Sequence, residues 1–99
     1  MLADMEMEVE AARWLCYRAS WLVDQGKTSR EVAQDTARAK LYATEVALRV
    51  CLKGIQLMGG YGATLDCPLT RRLADALALL PSAGTSEIMR LTIGRELTR

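Results

Sequence analysis

The stretch that most constrains this chain runs over residues 29–58, where apolar and small side chains recur at helical spacing with no break until Gly59 and Gly60. At about 1.5 Å per residue such a helix extends on the order of 45 Å, long for a small domain. Ala33, Ala37, Thr44, Ala47, Cys51 and Gly54 form a small-residue stripe that permits close helix approach. Leu41, Leu48, Leu52 and Ile55 supply bulk elsewhere around the same helix. A helix apolar on several sides is buried on several sides, so its neighbours should be other helices. Thr28 followed by Glu31 fits a capping box at its start.

The flanking segments read as helices too. Leu2, Met5, Val9, Ala12, Cys16, Ala19 and Val23 alternate spacings of three and four, which gathers them on one inward stripe. Trp14, Tyr17 and Trp21 repeat that spacing on a neighbouring stripe, wider than one core needs, and point to contact with another chain. A left-handed cap at Gly26 should stop this first helix. After Gly59-Gly60-Tyr61-Gly62 breaks the second, Pro68 opens a third with the stripe Leu69, Leu73, Ala76 and Leu80, and Pro81 ends it. Thr85 caps a fourth, with Ile88, Leu91 and Leu97 facing inward. The expected fold is all-α: an antiparallel four-helix bundle, two long helices followed by two short ones, forming a single helical domain over residues 1–99.

Composition narrows the function classes. A net charge of +1 creates no field of the kind that attracts nucleic acid or an anionic membrane surface, so neither partner is expected. No apolar run reaches the ~18 residues of a membrane span, and the start lacks the basic and apolar regions of a signal peptide. A cytoplasmic location is the expectation. Three widely spaced cysteines, Cys16, Cys51 and Cys67, with no histidine, argue for buried free thiols and against zinc sites or a disulfide framework. Without histidine, Ser/His and Cys/His nucleophile pairs are absent as well, and no metal ligands are assigned. Glu6, Glu8 and Glu10 read as a solvated face. Taken alone, Gly59, Gly60 and Gly62 are a helix terminator, because no strand precedes them as a dinucleotide fingerprint requires.

Their joint spacing with later residues says more. Gln56 with Gly59-Gly60-Tyr61-Gly62, then Pro68, Arg71, Leu73, Asp75, Ala76 and Leu79, then Gly84-Thr85-Ser86-Glu87-Ile88, Arg90, Ile93, Arg95, Glu96 and Leu97 resembles the C-terminal signature of acyl-CoA dehydrogenases, in order and without a gap. Leu2-Ala3-Asp4-Met5 with Val9, Ala12 and Arg13, and Ala39-Lys40-Leu41 with Ala43 and Glu45, are similar to earlier helices of that domain. The resemblance covers the whole chain.

That resemblance implies an FAD-dependent oxidoreductase of fatty acid metabolism that oxidises an acyl-CoA across Cα–Cβ. It implies cofactor contact by Gln56, Gly59 and Gly60, whose turn in the family reaches the ADP portion of the FAD of a neighbouring subunit, and by Thr85 and Glu87 at a helix N-terminus. A homo-oligomer is the expectation from Trp14, Tyr17 and Trp21 and from the nearly all-round apolar second helix. Ala83 stands where many members carry the glutamate that removes the substrate α-proton, and a methyl group cannot accept one. Ser82, Ala74 and Leu77 are further departures, the first from a common aromatic and the others from usual basic residues. Ala83-Gly84-Thr85-Ser86-Glu87 followed by Ile93-Gly94-Arg95 resembles the isovaleryl-CoA dehydrogenase subgroup, whose base comes from an earlier helix. A non-catalytic subunit paired with an active one is the other explanation. The family's N-terminal helical domain, middle β-domain and first C-terminal helix have no counterpart in this sequence. The expectation is therefore a fragment or a truncated gene product, inactive alone and unable to retain FAD. The competing class is a helical assembly module with no chemistry.

Overall fold

Where the first helix stops, the chain turns left-handed. In the computed structural model, which describes residues 1–98, helix α1 covers Leu2–Asp24 and Gly26 follows at φ +78°. Helix α2 covers Ser29–Leu57. Its first turn is closed by the anticipated capping box: the Glu31 N–H donates to Thr28 Oγ1 at 3.3 Å and the Thr28 N–H to the Glu31 carboxylate at 2.8 Å. Such a cap contributes about 1 kcal/mol. A 3₁₀ turn over Gly59–Ala63 leads to α3, Pro68–Leu79, with its proline in the first turn, and Thr85 then caps α4, Ser86–Leu97.

Contacts between named side chains give the directions. Arg18 pairs with Asp35 at 3.2 Å and Arg49 with Glu8 at 3.1 Å, so α1 and α2 run antiparallel. Gly54 lies against Leu69, and Lys40 reaches Leu80, so α3 runs antiparallel to α2 as well. Helix α4 crosses near the middle of α2, where Arg90 grips Glu45 through two bonds of 2.9 and 3.1 Å. Among the described residues every close main-chain approach between α-helices involves α2; the main chains of α1, α3 and α4 stay apart from one another.

The small-residue stripe explains that hub. Ala37, Ala39, Thr44 and Val46 of α2 are buried, as are Ala12 and Ala19 of α1 and Ala76 of α3. Short side chains let backbones approach closely, but they bury little apolar area each. The accessible surface of 6766 Å² exceeds by about 1,200 Å² what a compact monomer of this mass presents. The radius of gyration, 15.6 Å, likewise exceeds the roughly 13 Å of a compact chain of this length.

Three sequence expectations need correction. Ile88, Leu91 and Leu97 do not face inward; they are half or more exposed, and α4 turns Met89, Thr92, Ile93 and Glu96 toward the interior instead. The Arg90–Glu45 clasp and the cap at Thr85 are both made in this rotation. On α1 the inward stripe holds only in its middle, since Leu2 and Val23 are exposed where no helix overlies them. The cysteines are free, but only Cys67 is fully buried, beneath the 3₁₀ turn, while Cys16 and Cys51 are half-buried. That turn, not foreseen as regular structure, packs directly on α2. At Gly62 a Cβ would collide with the Ile55 carbonyl oxygen and come within 3.0 Å of Ile55 Cγ2.

Gly62→Ala should therefore destabilise the chain by roughly 1–3 kcal/mol, the usual cost of an overpacked contact. Gly60→Ala should be close to neutral, because a Cβ there meets nothing within 4 Å. Urea midpoints of the two variants decide it, and equal midpoints would refute the close approach. Glu8 gives a second prediction. The hydrogen bond from Arg49 is the main influence that lowers its pKa below the ordinary 4.5, aided by the charges of Arg49 and Lys53 against a smaller opposing effect of burial. A depressed carboxylate pKa stabilises the fold above the unfolded value and ceases to as pH falls through the folded one. Glu8→Gln should lower the urea midpoint at pH 7, and the gap to the parent chain should close as pH falls through the lowered pKa of Glu8; a gap constant with pH would contradict the pairing.

Candidate functional site

Two clusters carry the residues singled out by sequence. The first ends α2. Gln56 is exposed in the last turn, and the Met58 N–H closes the helix on the carbonyls of Gly54 and Ile55 at 3.1 and 3.2 Å. Gly59 follows at φ +62°, and added Cβ atoms at Gly59 and Gly60 meet nothing within 4 Å, so this backbone is open from outside. Its inner side is fixed: Thr64 Oγ1 donates to the Tyr61 carbonyl at 2.7 Å and the Tyr61 hydroxyl to the Asp66 carbonyl at 3.1 Å. A held turn with an uncrowded outer side, beside an amide that both donates and accepts, suits a pyrophosphate with its sugar.

The second cluster opens α4. Thr85 Oγ1 accepts the Ile88 N–H at 3.2 Å, which leaves its hydroxyl proton available to donate outward. The N–H groups of Ser86 and Glu87 lie in the first turn and have no intrahelical acceptor. Leu80, Pro81, Thr85, Ser86 and Glu87 line a depression of about 190 Å³ here. The helix N-terminus favours oxygen ligands, whereas the Glu87 carboxylate only accepts and suits a hydroxyl or N–H better than a phosphate.

The turn leading into this cluster is strained and tied down. Ala83 has φ +56° and Gly84 φ +116°. A left-handed alanine costs on the order of 1 kcal/mol and persists only where its surroundings enforce it. Lys40 Nζ supplies the enforcement, donating to the carbonyls of Leu80 and Gly84, each at 2.6 Å. Ala83 itself is exposed and brings no proton acceptor.

The two clusters do not form one site. From Lys40, which touches the second through Gly84, to Gln56 in the first is about 24 Å along α2. Gln56, Gly59 and Gly60 sit together, as do Thr85 and Glu87, at separate places on the domain. Lys40 was overlooked as a functional residue; its signal was a lone charged residue on the small-residue face of α2, between Ala37 and Thr44. Among the described residues, no group of histidine, cysteine and carboxylate side chains is placed to hold a metal ion, and no helix is long and apolar enough to cross a membrane.

Comparison with known proteins identifies the family to which this fold belongs. Residues 1–98 match the family model of the acyl-CoA dehydrogenase C-terminal domain. The short-chain-specific acyl-CoA dehydrogenase of Clostridium acetobutylicum is 42% identical over 99 residues, covering 100% of this chain and 25% of that protein. Butyryl-CoA dehydrogenase from Megasphaera elsdenii superposes with a TM-score of 0.93 at 39% identity, over 99% of this chain and 25% of that one. The FAD complex of PigA superposes at 0.89 with 32% identity, over 97% of this chain and 24% of that one. The chain therefore belongs to the acyl-CoA dehydrogenase family and represents its C-terminal helical domain. It spans about a quarter of the length of the relatives it matches.

Proposed function

We propose that this chain serves as the C-terminal domain of an FAD-dependent acyl-CoA dehydrogenase, holding cofactor at two places and building the subunit assembly. The observation that carries this reading is the placement of the two halves of the family signature at separate helix termini, one at the end of α2 and one beside Lys40, which lies about 24 Å earlier along that helix. That separation suits contact with FAD of two subunits. Gln56, Gly59 and Gly60 would hold the ADP portion of one, and Thr85 and Glu87 would meet the other. When bound, the flavin supplies the two-electron acceptor for oxidation of an acyl-CoA across Cα–Cβ. This domain contributes binding and orientation. Position 83 contributes no base, so the α-proton is taken by a carboxylate elsewhere in the parent, as in the isovaleryl-CoA dehydrogenase-like arrangement.

The test is flavin reduction by a panel of short and branched acyl-CoA thioesters, using the full-length flavoprotein that carries this segment. The parent should reduce its flavin, and Ala83→Glu should give an equal or lower rate, because two carboxylates crowded at one site raise one pKa by repulsion. Activity present only in Ala83→Glu, a gain of roughly 10²–10⁴-fold, would replace this reading with that of a non-catalytic subunit.

The assembly role has its own support. Trp14 and Tyr17 meet edge to face at 5.7 Å and, with Trp21, stand more than half exposed on α1 around a hollow of about 460 Å³. Aromatic clusters left in water on this scale mark interfaces. The surplus surface, about 1,200 Å², exceeds the ~800 Å² per partner of a standard interface. Light scattering of this chain should report a homodimer or larger, and a monomer at high concentration would overturn the assembly role.

A further inference from the structure

We propose that Lys40 is the positioning residue for the turn between α3 and α4, fixing the path of residues 83–85 and with it the presentation of Thr85. The assignment rests on the reading of Thr85 as a cofactor contact.

Lys40 lies half-buried on α2 and enters no ion pair among the described residues. Both of its hydrogen bonds end on main-chain carbonyls, and both are short, 2.6 Å. Those carbonyls flank the strained segment. Leu80 is the last cap of α3, where helix geometry leaves carbonyls without partners, and Gly84 directly precedes the cap of α4. One ammonium thus joins the end of one helix to the start of the next across Ala83 and Gly84, the two consecutive left-handed residues. A compact, charged group with three radial donors suits two converging carbonyls, and a charge-assisted bond to each is stronger than a neutral one. Among the described residues no other hydrogen bond to the turn comes from α2: the Ser82 N–H and hydroxyl bond back to Leu79 and Ala78, and the Ile88 N–H bonds to Thr85. Lys40 is therefore the link that sets where Thr85 stands relative to the rest of the domain.

The test has two parts. On the chain itself, NMR should show couplings across hydrogen bonds between Lys40 ¹⁵Nζ and the carbonyl carbons of Leu80 and Gly84; their absence overturns the assignment without any variant. Lys40→Met keeps the apolar stem and removes the donors. Exchange of the hydrogen-bonded amides that flank the turn, Ser82 and Ile88, should rise roughly tenfold while that of α1 changes little. A uniform rise across all helices would show a merely structural lysine and overturn the proposal. On the FAD-loaded full-length flavoprotein, Lys40→Met should speed FAD release roughly tenfold, as Thr85→Val does, with Lys53→Met as the unaffected control. Faster release in Thr85→Val but not in Lys40→Met would overturn the positioning role alone. Unchanged release in both would overturn the cofactor reading of Thr85 and this assignment with it.

Discussion

The structure depends on the close approach that small side chains on α2 allow. The sequence has no phenylalanine, and the largest side chain fully withdrawn from water is Cys67. A domain without large buried side chains cannot rely on a thick apolar core, because each buried alanine removes little area from water. Helices brought near enough by Ala37, Ala39 and Thr44 gain instead from dense backbone packing, and ion pairs at the rims fix their relative sliding. Glu8 with Arg49 and Lys53, Asp35 with Arg18, and Glu45 with Arg90 act in that way. The same economy leaves tryptophans, leucines and methionines outside, which is why the surface is large for the mass.

Local signals were legible in the sequence, and long-range ones were not. The capping box at Thr28, the left-handed Gly26, the proline start of α3 and the threonine cap of α4 each depend on residues within one turn, and the structure contains all four. The inward face of α4 depends on where its neighbour lies. Periodicity offered the leucines, but the helix lies with them outward, in the rotation in which Arg90 clasps Glu45, forty-five positions away in sequence. Gly62 shows a similar limit: as one of three glycines after α2 it read as a helix terminator, whereas the Ile55 carbonyl pressed against it reveals a packing requirement.

For the candidate site, the order of residues along the chain conveyed the family but not the layout. Gln56 and Thr85 belong to one collinear signature, yet α2 is so long that they end well apart. Lys40 shows the converse, since forty and forty-four residues separate it from the two carbonyls it bridges. No spacing rule links such partners. What a reader of the sequence sees is a lysine among alanines and threonines on a helix built for close packing, an expensive position for a charge unless partners await it.

A hub with three spokes also governs how changes combine. Because the main chains of α1, α3 and α4 approach α2 but not one another, the effects of substitutions on different outer helices should add unless they meet the same α2 side chains, as Leu15 and Ile93 do around Leu41, Tyr42 and Glu45. Substitutions along α2 sit between all three and should interact strongly. The outer faces can thus be remodelled largely one at a time for new neighbours, whereas an enlargement of the α2 stripe disturbs whichever outer helix packs there, α3 at Gly54 for instance.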